Sequence, residues 1–173
     1  MVAKTPPMGW NSWDCFGAAV NEEEVRANAE YMAKYLKPYG WEYVVVDIEW
    51  YQPTAGSHEY EPFSTLCMDS YGRLIPAENR FPSSKGGKGF APLAEYIHSL
   101  GLKFGIHIMR GMPRMAAHEG LPIMDSSFNA REVANPTSVC AWNPDMYGLK
   151  CHNCEDGARA YYNSIFKLYA QWG

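Results

Sequence analysis

The sequence lacks the features that would direct it to a membrane or to nucleic acid. Its apolar stretches all fall short of the roughly 18 residues that a membrane-spanning helix needs. The Lys and Arg residues form no run and the net charge is −4, so we expect neither nucleic acid nor a membrane as a partner. Residues 1–6 contain no apolar core of a signal peptide. This favours a cytoplasmic location, or a secreted or periplasmic one if an export signal has been removed.

The five cysteines are an odd number, which argues against a complete set of internal disulfides. Cys151 and Cys154 form a Cys-x-x-Cys motif around His152, and Cys140 lies eleven positions upstream. Three thiols and an imidazole can bind zinc, but the motif lacks a second Cys-x-x-Cys and its spacing fits no standard zinc module. A redox pair beside a helix N-terminus is an alternative. The interpretation we favour is a polar loop with unpaired or locally paired thiols, without a metal or a cofactor.

Length and periodicity together predict one α/β domain. With 173 residues, 47% of them hydrophobic, the chain can bury a substantial core. Apolar spacing predicts three strands, each followed by a helix. The predicted strands are 8–11, 43–47 and 103–108, and the predicted helices are 21–40, 90–100 and 158–172. The second strand is a continuous β-branched run, typical of a parallel strand buried on both faces. This order implies a parallel sheet with right-handed crossovers.

Two long loops, 50–89 and 110–157, come after the second and third predicted strands. They therefore lie at the C-terminal ends of the strands, where α/β barrels and open α/β sheets bind their substrates. Long loops inside a compact domain are usually functional. We expect a substrate site at this edge of the sheet.

The opening segment 6–17, PPMGWNSWDCFG, places two tryptophans and an aspartate between prolines and a glycine. Aromatic faces stack on sugar C–H groups and carboxylates accept from hydroxyls, so these residue types suit a sugar pocket, although two tryptophans beside a strand also suit a core. The segment resembles the first strand of glycoside hydrolase family 27, the α-galactosidase family. Further resemblances to this family follow in order at 69–76, 79–82, 96–107 and 169–173.

The resemblance implies a fold, an activity and the place of the catalytic groups. Residues 1–173 correspond to the first three βα units of a (β/α)₈ TIM barrel, ending before the fourth strand, as a partial catalytic domain without a second domain. The family's enzymes are retaining exo-glycosidases that release terminal galactose-type sugars. Their nucleophile follows the fourth strand and their acid/base lies on a later one, so neither catalytic residue is expected before Gly173. The alternative is a non-catalytic, truncated barrel that at most binds sugar.

The resemblance also implies which residues contact the sugar. Trp13 would form an apolar wall, Asp47 would accept from sugar hydroxyls, and Trp142 would lie on the rim. His107 stands where the family usually has a tyrosine. Glu49 lies two positions after Asp47 on the same side of the same strand. The pair therefore cannot flank a glycosidic bond as two catalytic carboxylates must, and we expect Glu49 to lie behind the sugar contacts.

One departure from the family bears on the substrate. Typical α-galactosidases have Asp-Asp at the end of the second strand, and the second Asp binds the galactose 6-hydroxyl, whereas this chain has Asp47-Ile48. A buried hydroxyl left unpaired costs about 1–3 kcal/mol. L-arabinopyranose has the galacto arrangement without the C6 group, so Ile48 suggests a β-L-arabinopyranoside as a candidate for the preferred substrate. We expect Arg110 to orient a carboxylate or to form a salt bridge at the end of the third strand. Separately, we expect the open edges of the sheet to allow self-association.

Overall fold

The structure is a computed structural model that describes residues 6–57 and 60–173. The segment 1–5, on which the expected location mainly rests, lies outside the described residues. The described residues form six strands, which are β1 (Gly9–Asn11), β2 (Tyr43–Val46), β3 (Lys103–Ile106), β4 (Met112–Pro113), β5 (Ala134–Val139) and β6 (Met146–Leu149). The helices are α1 (Trp13–Phe16), α2 (Glu22–Tyr35), α3 (Ala91–Ser99), α4 (Arg114–Glu119), α5 (Ala130–Val133) and α6 (Glu155–Ala170). Within the described ranges, no helix combines the length and the apolar character needed to cross a membrane.

The first three strands form the parallel sheet that the sequence predicts, in the order β1-β2-β3. Val44 and Val46 are fully buried, because their side chains pack under the helices. Tyr43 and Val45 are only half-buried, so the prediction that β2 is buried on both faces is wrong. The described part of the chain leaves the second face of this sheet partly open.

The sequence signals at both ends of α2 are confirmed. Asn21 accepts a hydrogen bond from the backbone N–H of Glu24, whose side chain accepts from the backbone of Asn21 in return, forming a capping box. The helix is followed by a short 3₁₀ turn that ends at Gly40, whose φ of +88° is a left-handed conformation that glycine adopts without strain. The helix therefore begins where its sequence directs, whereas the α-helical part ends at Tyr35 and Gly40 closes the 3₁₀ turn after it.

Trp50 is the centre of the main core. It is fully buried, and its ring makes edge contacts with Phe90, Tyr169 and Trp172 at centroid separations of 5.3, 5.9 and 6.1 Å. Its indole Nε1 donates a 3.0 Å hydrogen bond to the backbone carbonyl of His107, directly after β3. The largest side chain of the core is thus tied to the end of the third strand.

The segment 110–157, predicted as a loop, contains a second sheet. Strands β4, β6 and β5 pair antiparallel in that order, and α4 and α5 lie between β4 and β5. The sequence does not reveal these strands, because β4 has only two residues. Strand β5 (ANPTSV) contains Pro136 and three polar residues, without an alternation of polar and apolar positions. The result is a partial α/β domain with two open three-stranded sheets.

Candidate functional site at the strand ends

The first functional side chains occupy the positions directly after the parallel strands. Ser12 follows β1, Asp47 follows β2 and His107 follows β3. The backbone N–H of Asp47 donates to the Ser12 hydroxyl at 2.9 Å, and the backbone N–H of His107 donates to the Val46 carbonyl at 2.9 Å. The backbone bond continues the pairing of β2 and β3 by one residue and the bond to Ser12 links β1 to β2, so the candidate site is built on the end of the sheet.

Asp47 and His107, both predicted as sugar ligands, lie in contact. Nδ1 of His107 is 3.1 Å from Oδ1 of Asp47, which also accepts from the backbone N–H of Ile48 at 2.7 Å. Burial by itself would raise the pKa of Asp47, but hydrogen bonds from His107, Ile48 and Asn11 outweigh it and hold that pKa below its usual value. The same contact raises the pKa of His107. The carboxylate is therefore ionised at neutral pH and suited to accept from hydroxyls.

An aromatic wall stands beside these polar groups. Trp13 and Trp142 are 37% and 52% exposed, and the ring of Tyr60 lies between them. Tyr60 stacks on Trp13 at a centroid separation of 5.8 Å and approaches the ring of Trp142 at 5.2 Å. Sequence reasoning missed Tyr60, which stands in a polar loop without periodicity. Its pKa is raised, first by burial and then by the charges of Glu49 and Asp47, which places it beside the site.

The side chain of Ile48 takes a different direction from its neighbour. Ile48 is 2% exposed and belongs to the main core, whereas the Asp47 side chain retains 11% exposure at the strand end. Ile48 thus belongs to the core and not to the exposed surface of the site, and its side chain has no hydrogen-bond acceptor.

Glu49 lies behind the site, at the position that the sequence suggests, and it is 2% exposed. Its Oε1 accepts a 2.8 Å hydrogen bond from Nδ2 of Asn143, and its Oε2 has no partner among the residues that the structure describes. Burial raises the pKa of Glu49 to about 7, against the lowering effect of Asn143, and the nearby charge of Asp145 raises it further. Arg80 lowers this pKa and Glu61 raises it, each to a smaller extent. Glu49 is thus a buried carboxyl that holds its proton close to neutral pH.

The remaining predictions concern Arg110 and the cysteines. Arg110 has neither of the expected carboxylate contacts, since its guanidinium donates to the Ser138 hydroxyl and the Val139 carbonyl, both at 3.3 Å. Cys140 is buried, Cys151 is exposed and Cys154 caps α6, all three as free thiols. The structure, over the residues it describes, brings no three His, Cys, Asp or Glu side chains together as a metal site. It therefore gives no support to the zinc alternative.

A parallel sheet with a carboxylate and an aromatic wall at its C-terminal edge defines the class: an α/β domain whose candidate site lies at the strand ends. Comparison with known proteins makes the family specific. The family described as alpha galactosidase A matches residues 5–171. The chain belongs to this family, which is glycoside hydrolase family 27.

Solved structures of two proteins are similar to the chain over 99% of its length. A family 27 β-L-arabinopyranosidase from Geobacillus stearothermophilus is 67% identical with a TM-score of 0.96, and a further structure of that enzyme, as a variant, contains arabinose. A Bacillus halodurans protein provisionally named an α-N-acetylgalactosaminidase is 64% identical with a TM-score of 0.92. The α-galactosidase of Coffea arabica is 37% identical over 98% of the chain. The chain spans 39% to 42% of the length of these proteins.

Proposed function

We propose that this chain is the amino-terminal part of a retaining exo-glycosidase. Residues 1–173 supply the first three βα units of its (β/α)₈ catalytic domain and the sugar-binding half of the site. The catalytic nucleophile and acid/base belong to later strands. The similar proteins are glycoside hydrolases, which favours this function over a non-catalytic module.

The observation that carries the proposal is the ionised Asp47 at the end of β2. It is oriented by Ser12 and His107, and the exposed rings of Trp13 and Trp142 stand beside it. A carboxylate that accepts from hydroxyls and rings that cover C–H faces are the two parts of a pyranose site. We assign hydroxyl binding to Asp47 and His107, and the apolar wall to the two tryptophans.

The preferred substrate in this proposal is a β-L-arabinopyranoside. Ile48 supplies no hydrogen-bond acceptor at the end of β2, and the missing acceptor disfavours a sugar that carries a 6-hydroxyl. The 67% identity to a β-L-arabinopyranosidase supports the same choice. A terminal α-galactoside is the second substrate, which such a site accepts less well.

Replacing Ile48 by aspartate in the full-length enzyme tests this substrate. The new carboxylate would accept from the galactose 6-hydroxyl, a bond worth roughly 1.5–3 kcal/mol, or about ten- to a hundredfold in the ratio of the two kcat/KM values. Ile48→Val is the matched control, because it keeps an apolar side chain at the same buried position. A wild-type enzyme that strongly prefers the galactoside, with the same ratio in Ile48→Asp, would contradict the proposal. Thermal unfolding of each variant separates a change in specificity from a loss of stability.

The proposal extends to the behaviour of the chain by itself. The outer edges of β1 and β3 present unpaired backbone groups within the described residues, and such edges favour pairing with another chain. We therefore infer self-association through these edges when the chain is isolated. A cytoplasmic location is also part of the proposal, and fractionation of cells that express the native gene would test it.

A further inference from the structure

Trp142 lies at the tip of the connection between β5 and β6, in a loop that covers residues 140–145. It is 52% exposed, and its aromatic contact is the ring of Tyr60. A side chain with so little burial is not held by core packing. The position of this wall of the site must therefore be set by the backbone of its own loop.

The next residue supplies the anchor for that backbone. Asn143 is 2% exposed, and its Nδ2 donates to Oε1 of Glu49 at 2.8 Å, although the two residues are 94 positions apart in sequence. The other end of its amide, Oδ1, accepts from the backbone N–H of Asp145 at 3.3 Å. One buried side chain thus connects the Trp142 loop to the strand end that carries Asp47.

The opposite side of the loop is tied to the long loop after β2. Oδ2 of Asp145 accepts from the backbone N–H and the hydroxyl of Ser64, at 3.2 and 3.1 Å. The backbone of Arg114 also donates to the Asp145 carbonyl at 2.7 Å. These bonds fix the loop to neighbouring loops, and the bond to Glu49 fixes it to the parallel sheet.

Glu49 is a costly residue for a purely structural position. Within the ranges 6–57 and 60–173, its buried carboxyl has one hydrogen bond, and the buried hydroxyl of the nearby Tyr51 has none. An apolar side chain of similar volume would fill such a space without this cost. The presence of a carboxyl at this buried position is therefore better explained by its hydrogen bond from the Asn143 side chain.

We propose that Glu49 is a positioning residue: by accepting from Asn143 it fixes Trp142 relative to Asp47, and so sets the width of the cleft that receives the terminal pyranose. The proposal deepens the function given above and depends on it for the identity of the ligand. The placement of Trp142 by Glu49 does not depend on any activity.

Fluorine NMR of the full-length protein, labelled with 5-fluorotryptophan, tests the placement directly. The Trp142 signal is assigned by its absence in Trp142→Phe. We expect Glu49→Ala to shift or broaden this signal while leaving that of Trp41, which precedes the opposite end of β2, unchanged. Glu49→Gln should retain a signal near that of wild type, because its amide oxygen accepts the same hydrogen bond. Glu95→Ala, which removes an exposed carboxylate on α3, is the control.

An unchanged Trp142 signal in Glu49→Ala overturns the proposal. Should that variant fail to fold, Asn143→Ser removes the same hydrogen bond from the loop side, and an unchanged signal there has the same meaning. The kinetic counterpart is a KM for the arabinopyranoside that rises roughly fivefold in Glu49→Ala, as expected for one lost hydrogen bond, with kcat nearly constant. An enzyme without glycosidase activity but with the expected NMR shift would refute the proposed function and leave the positioning role standing.

Discussion

Replacing Glu49 by glutamine should make the isolated chain relatively more stable as the pH rises. Folding raises the pKa of Glu49 from 4.5 to about 7, chiefly through burial. The folded state therefore keeps a proton that the unfolded chain releases between these values. By linkage, the free energy of unfolding falls as the pH rises through that interval, and levels off above it. Glutamine does not ionise, so the variant escapes this loss.

The size of the effect follows from the shift. Each pKa unit corresponds to about 1.4 kcal/mol, so a shift from 4.5 to about 7 corresponds to about 3 kcal/mol at full effect. Relaxation of the surrounding groups around the ionised carboxylate reduces this to about 2 kcal/mol. We expect the difference in unfolding free energy, Glu49→Gln minus wild type, to grow by that amount between pH 5 and pH 8.

The assay is urea unfolding at both pH values, followed by tryptophan fluorescence at low micromolar concentration. Any packing cost of the glutamine is the same at both pH values and cancels in the comparison. Glu95→Gln, at an exposed position on α3, supplies the control and should follow wild type. If wild type and Glu49→Gln change in parallel from pH 5 to pH 8, Glu49 is already ionised in the folded chain at pH 5 and the reasoning fails.

Three further predictions concern the isolated chain. It should release no nitrophenol from nitrophenyl α-galactoside or β-L-arabinopyranoside, and turnover that is lost on replacing Asp47 would contradict our assignment of that residue as a ligand. Light scattering should detect oligomers, and a clean, stable monomer would exclude association through the sheet edges. His107→Gln should lower stability by about 0.5 kcal/mol, since the ring is half exposed. The pKa of His107 is raised in the folded chain, so this loss of stability is largest below pH 6.5 and fades as the pH rises through that folded pKa. The loss also disappears in acid below pH 3.8, as Asp47, whose folded pKa is lowered, becomes protonated. Equal losses at pH 5.5 and pH 9 would argue against the ion pair.

The parallel sheet could be predicted because its signals are local. The β-branched run 43–47, the Asn21 cap and the helical spacing after it each specify one element without reference to the rest of the chain. The second sheet is formed by short strands, of which β4 has two residues and β5 contains Pro136 without an alternating pattern. Strands β5 and β6 are neighbours in sequence, but β4 pairs with β6 across about 35 positions, so the sequence offers no regular local pattern for this sheet.

The candidate site shows the same division. Asp47 and His107 follow recognisable strands, so their meeting could be foreseen from strand order alone. Tyr60 and Asn143 come from irregular loops, and their contacts with Trp142 and Glu49 arise from tertiary folding. Sequence reasoning therefore identifies residues at strand ends and misses those that loops deliver.

The hydrogen bond from the Trp50 indole to the His107 carbonyl has a consequence for how the site recognises its ligand. The ring around which the core aromatics assemble also holds the backbone of His107, the residue to which we assign hydroxyl binding. We therefore expect this corner of the proposed site to be preformed, because a shift of the His107 backbone would disturb the packing of Trp50. Substitutions at Phe90 or Trp172, remote from any sugar, would therefore weaken sugar affinity as well as stability.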